Sequence, residues 1–114
     1  MPIDRPIPVR FFRLDSGREP VREWLKEMPK EHRKAIGEDI KAVQFAWPIG
    51  MPVVRKMDDD LWEIRSHLSP GIARTFFTVF EELIVLLHGF VKKSQTTPAK
   101  ELAIAKRRLA KLRA

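Results

Sequence analysis

From Leu61 to Leu109 the chain lays out three short apolar runs in quick succession, then a basic, weakly amphipathic stretch. The first is Leu61 to Leu68, where Trp62, Ile64 and Leu68 fall on one face and Glu63, Arg65 and His67 on the other, the period of a strand. Ser69-Pro70-Gly71 is turn chemistry. Ile72 to Phe80 reads as a second strand, with Arg74, Phe76 and Thr78 sharing a face. Leu83 to Lys93 is a third, nearly apolar until His88 and so expected to be central. Between the last two, Glu81-Glu82 is poor material for a two-residue turn, because a type I′ turn needs positive φ at both central residues. A longer loop is expected there. Three consecutive strands with short connections pair most simply as an antiparallel meander.

The first half is organised differently. Pro2, Pro6 and Pro8 make residues 1–7 an extended, flexible lead-in, and Val9 to Leu14 reads as a short strand. Pro20 suits the first turn of a helix, and Val21, Trp24, Leu25 and Met28 follow the i, i+3, i+4, i+7 stripe. Pro29 stops it. A second helix is expected from about Lys30 to Trp47, with Ile36, Ile40, Val43 and Trp47 inward. Pro48, Gly50 and Pro52 then break the chain into a loop before the meander. After the third strand, Thr97 reads as a helix cap with Pro98 at the first helical position, ahead of a narrow stripe of Leu102, Ala105, Leu109 and Leu112. The expected fold class is α+β, one domain over 1–114, in the order β-α-α-β-β-β-α.

Charge narrows the partners. The net charge is +7 and the sequence pI about 10.1, which favours a nucleic acid, an acidic protein or an anionic surface. The absence of cysteine excludes disulfides and thiolate metal sites and fits a reducing cytoplasm. No stretch approaches the roughly 18–20 apolar residues of a membrane span, and the N-terminus has no signal-peptide core.

Each strand of the meander carries cations near one end: Arg65, Arg74, and Lys92 with Lys93. A sheet needs no guanidinium groups for its core, and clustering them costs repulsion. An RNA-cleaving site has three uses for them: to orient a phosphate, to stabilise the pentavalent transition state and to depress a neighbouring pKa. The plainer reading is a solvated strand face. His67 and His88 are candidate proton-transfer groups. His67 shares the face of Arg65, whereas His88, alternating with Leu86 and Phe90, fits a structural place better. His32 reads as a helix-surface residue. Phe76 shares the face of Arg74 and is a candidate for base stacking. Trp24, Trp47 and Trp62 sit at core positions. Asp58-Asp59-Asp60 is an acidic loop more simply than a cation site, and the histidines give no metal signature.

Trp62-Glu63-Ile64-Arg65, Arg74 ahead of an aromatic pair, and the block from Leu86 to Pro98 with Glu101-Leu102-Ala103 resemble the phage-derived HigB-like branch of the RelE toxin superfamily. The resemblance runs from about Val9 to Ala110 and is most specific in its second half. It implies a microbial-ribonuclease-type fold with a curved antiparallel sheet and two N-terminal helices against it. It also implies the toxin of a type II toxin–antitoxin pair: a cytoplasmic, ribosome-dependent mRNA endonuclease, a hydrolase needing no metal or cofactor. Such toxins cut by 2′-OH attack, leave a 2′,3′-cyclic phosphate and are neutralised by a cognate antitoxin, an acidic or helix-turn-helix protein. Carried onto this chain, Arg74 and Lys93 would clamp phosphate, Arg65 would position it or act as base, and Lys92 would contact ribosomal or messenger RNA. His67 and Phe76 would assist RNA binding. The chain departs from many relatives in having no tyrosine; stacking survives that change at Phe76, a hydroxyl role does not. Glu63 puts a carboxylate beside the cluster. The alternative reading is a non-catalytic module of the same fold that binds RNA, the ribosome or a protein.

Overall fold

The computed structural model describes residues 5–93 and 96–114; most of the expected lead-in, residues 1–4, and Ser94-Gln95 of the resembling block lie outside them. The element order is β1 Val9–Phe11, α1 Pro20–Lys26, α2 Lys30–Ala46, β2 Val54–Asp58, β3 Leu61–His67, β4 Ile72–Phe80, β5 Leu83–Lys92 and α3 Ala99–Arg113. This is an α+β chain with one five-stranded mixed sheet and three helices, the strands ordered β1-β5-β4-β3-β2. The meander β3-β4-β5 forms as expected, with β5 interior and β4 at the middle of the sheet.

Four expectations need correction. The stretch after Pro52 is not all loop: Val54 to Asp58 is a strand, antiparallel to β3. Nor is the sheet purely antiparallel, since β1 runs parallel to β5, with Val9 beside Ile84 and Phe11 beside Leu86. The strand expected over Val9 to Leu14 is correspondingly only three residues long. Finally, Glu81 and Glu82 do form the two-residue turn, at φ 49° and 63°, with Phe80 paired to Leu83. Nine residue pairs hold β4 to β5, and that ladder outweighs about 1–2 kcal/mol of left-handed strain per residue.

The sheet is covered on both faces. One buries Val54, Ile64, Ala73, Phe77, Ile84 and Leu86 against Val21 of α1 and Ile36, Ile40 and Val43 of α2. Trp47 stands edge-on to Trp62 and Phe77, with ring centroids 4.8 and 5.4 Å away. Gly89 lets Trp24 lie across β5, because a Cβ there would overlap the indole. The other face buries Leu61, Phe76, Val85, Leu87 and Phe90 against Ala105 and Leu109 of α3. Helix α3 is fastened at its far end by ion pairs from Lys106 to Asp58, Lys111 to Asp15 and Arg113 to Asp60. The hydrogen bond from Lys106, then that from the backbone N–H of Asp59, then the charge of Lys106 lower the pKa of the Asp58 carboxyl. Among the described residues no helix is long and apolar enough to cross a membrane.

Candidate functional site

The α3 face of the sheet is where the strand cations gather. Side chains that alternate along a strand meet their cross-strand neighbours on the same face, so the register fixes the set. Arg55 of β2 is opposite Glu63 of β3, and Glu63 is opposite Phe76 of β4. One pair further, Arg65 faces Arg74 directly, and Arg74 is flanked on its other side by Phe90. Beyond them His67, Ile72 and Lys92 form a row across three strands. Helix α3 packs over Phe76, Leu87 and Phe90. Arg55 and His67 are exposed, and Arg65 and Lys92 are partly so.

Two arginines opposed across a ladder repel, and Glu63 compensates. Its Oε1 is 3.8 Å from Nε of Arg65, and its Oε2 is 3.9 Å from Nη1 of Arg74. Glu63 and Arg74 are both wholly buried. Burial pushes the Arg74 guanidinium below its ordinary pKa; Glu63 opposes that, while Arg65 and Arg55 add to it. An arginine under that pressure keeps its proton. The buried charge is therefore real, and it feels Arg55 as a member of the cluster.

The expected residues separate by depth. Arg65 retains 14% of its side-chain surface at the edge of the pair. Arg74 has none; the direct phosphate clamp expected of it gives way to a place beneath the surface. Nη1 of Arg74 donates to Oγ1 of Thr97 at 2.8 Å, and that hydroxyl donates to Oε2 of Glu63 at 2.8 Å. Phe76 is also wholly buried, with ring neighbours in His88 and Phe90. It has no face for a base, which corrects the stacking role. Lys92 is half-buried on the arginines' face, while Lys93 is exposed one residue past the end of β5, outside the paired register. His67 is exposed at the end of β3 and also borders a cleft with Glu31 and His32 of α2.

His88 is turned to α3. A bulge leaves Leu87 without a cross-strand partner, so Leu87 and His88 both take the α3 side. Arg108 donates to the Leu87 carbonyl at 2.8 Å and approaches Nδ1 of His88 at 3.4 Å, while Nε2 of His88 is 2.7 Å from Oε1 of Glu101. The neutral tautomer with its proton on Nε2 satisfies both neighbours. Desolvation holds the imidazole below its ordinary pKa, outweighing Glu101. Both ring nitrogens face α3 partners, which gives His88 a structural place.

Two members of the site were not apparent from sequence. Arg55 falls in the stretch expected to be loop, and Val54-Arg55-Lys56-Met57-Asp58 has no apolar alternation to mark it as a strand. Thr97 is not the helix cap its place before Pro98 suggests: Pro98 occupies that position and no side chain caps α3. The acidic loop serves α3 through Asp58 and Asp60, and among the described residues no group of three or more His, Cys, Asp or Glu side chains is placed to hold a metal ion.

A search of curated proteins finds no match to the chain. A family model described as phage-derived protein Gp49-like (DUF891) matches residues 23–110, which take in the last turn of α1, all of α2 and the whole cationic face. The chain therefore belongs to the phage-derived Gp49-like family, a toxin–antitoxin-associated family among the RelE/HigB-type toxins.

Proposed function

We propose that this protein is the toxin of a type II toxin–antitoxin pair and an endoribonuclease that cuts mRNA on the ribosome. Attack by a ribose 2′-OH on the adjacent phosphorus would break the P–O5′ bond, leaving a 2′,3′-cyclic phosphate and releasing the next nucleotide as a 5′-hydroxyl, with no metal or cofactor needed. The observation that carries the reading is the register itself: Arg55, Arg65 and Arg74 stand on three neighbouring strands of one face, with Lys92 beyond them. Guanidinium groups suit bidentate contact with phosphate, and a fixed positive field stabilises the charge that develops during in-line attack. In this reading Arg65 and Arg55 meet the phosphate, Arg74 strengthens the field from below, and Lys92 and Lys93 bind flanking RNA. His67 is the exposed imidazole on that face and the first candidate for proton transfer. A cognate antitoxin, acidic or of helix-turn-helix type, would neutralise the toxin by covering the same surface.

A second reading has its own support. Glu63 and Arg74 are inaccessible and His88 is engaged by α3, so the proton-transfer chemistry is thin, as in a module that only binds RNA, the ribosome or a protein. Induced expression of the wild type beside Arg65→Ala, with mapping of mRNA 5′ ends, decides between them. Growth arrest with new ends that vanish in the variant supports the nuclease; soluble wild-type protein without new ends supports the binding module. Purified protein incubated with mRNA, with and without ribosomes, tests the ribosome requirement.

A further inference from the structure

A hydroxyl group stands between the buried guanidinium and the buried carboxylate. Left to themselves, Arg74 and Glu63 would close into parallel N–H···O bonds. Instead Nη1 and Oε2 stop 3.9 Å apart, and Oγ1 of Thr97 is 2.8 Å from each. The direction of both bonds is fixed by chemistry. Arginine has no acceptor and a carboxylate has no donor, so the hydroxyl accepts from one and donates to the other. Thr97 belongs to neither strand. It lies in the segment between Lys92 at the end of β5 and Ala99 at the start of α3, and its side chain reaches back to β3 and β4.

We propose that Thr97 is the positioning residue of the cationic site. Its hydroxyl holds Arg74 and Glu63 at this spacing, keeps one oxygen of Glu63 engaged so that the carboxylate does not close on Arg65, and ties the chain that follows Lys92 and Lys93 to the sheet. Without the hydroxyl, Glu63 loses a donor and Arg74 an acceptor at a site with no exposed surface. Moving together by about 1 Å, the difference between the present spacing and an ordinary charge-assisted bond, lets them bond directly. That shift repositions the carboxylate beside Arg65 and changes the field a phosphate meets. The anion is RNA phosphate only on the reading proposed above; the bridge itself does not depend on it.

The test compares Thr97→Val, which keeps the shape and removes the hydroxyl, with Thr97→Ser, which keeps the hydroxyl. Side-chain Nε–H resonances of Arg65 and Arg74 report the bridge, and titration with inorganic phosphate reports the anion site without invoking RNA. A 2′-deoxy oligonucleotide and its ribose counterpart then separate binding from cutting. Thr97→Val should displace both arginine resonances and weaken phosphate and oligonucleotide binding about tenfold, as expected for losing charge-assisted hydrogen bonds. Thr97→Ser should restore all of these to within about twofold. Unmoved resonances in a folded Thr97→Val protein overturn the proposal, as do moved resonances with unchanged anion binding, or a serine variant that behaves like valine. Should Thr97→Val fail to fold, Thr97→Ser decides alone: wild-type resonances and phosphate affinity support the bridge, and altered ones overturn it. A wild type that binds phosphate but neither binds nor cuts RNA removes the nuclease reading and leaves the role of Thr97 to the arginine and phosphate results.

Discussion

Replacing Glu63 by Gln removes one charge while keeping the volume and an oxygen that can still accept from Thr97. The structure sets the size of the effect. Arg74 has no exposed surface, and Arg65 faces it across the ladder, so the substitution removes the negative charge set between two opposed guanidinium groups. Removing one partner of a buried ion pair costs about 3–5 kcal/mol, because the other charge stays buried without it. For a domain of this size that corresponds to a fall in melting temperature of roughly 12–20 °C. Thermal and urea unfolding of the wild type, Glu63→Gln, Arg74→Met and the double variant form a complete cycle. The double variant should be more stable than Glu63→Gln alone, since replacing both members of a buried pair by apolar or neutral groups is close to neutral. Two single losses that simply add, or a Glu63→Gln protein melting within about 4 °C of the wild type, would show that Glu63 is not what keeps the opposed arginines in place.

Three further outcomes follow from other parts of the fold. Gly89→Ala puts a methyl group into the Trp24 ring and should cost about 2–3 kcal/mol in urea unfolding, partly recovered by Trp24→Leu. Changing Glu81-Glu82 to Asn-Gly suits the positive φ at both positions and should raise stability by about 1–2 kcal/mol, read as a higher melting temperature. His88 is held below its ordinary pKa chiefly by desolvation, so the unfolded chain binds its proton more readily. The stability it contributes is present above the ordinary imidazole range and is lost as pH falls through that range to the lower folded value. His88→Gln should flatten that part of the melting profile relative to the wild type, and an unchanged slope would refute the assignment.

Much of the fold was legible because apolar periodicity reports directly on burial. Trp62 and Ile64 alternate with Glu63 and Arg65, and the structure puts the first pair against α2, as the pattern requires. The stripes of α1 and α2 read equally well. β2 escaped because Pro48, Gly50 and Pro52 precede it and because an edge strand, paired on one side only, needs little apolar content. Its exposed Arg55 and Lys56 look like loop. The Glu81-Glu82 turn escaped because local preference opposed it and the paired strands overruled it. Thr97 escaped for a related reason: a Thr-Pro pair before a helix has a local meaning, and the bonds it makes lie 23 and 34 residues away.

The site was legible as a list of cations but not as an arrangement, and the difference is one of depth. Sequence reading assigns charged residues to the surface, so Arg65 and Arg74 looked equivalent. Register makes them opposite numbers on adjacent strands, and Arg74, on the middle strand between β3 and β5, is the one that is covered. Burying Arg74 has an electrostatic consequence that surface placement would not have. A guanidinium away from solvent is screened less than an exposed one, so its field reaches the surface above it with less attenuation. Glu63 stabilises that charge, but one carboxylate set among Arg55, Arg65 and Arg74 leaves the group positive. On the proposed function, an anion arriving at Arg65 would meet a partly exposed arginine and, beside it, a buried one that cannot turn away into water. That is why a substitution at Arg65 should weaken contact alone, whereas one at Glu63 or Thr97 should alter the field and the fold together.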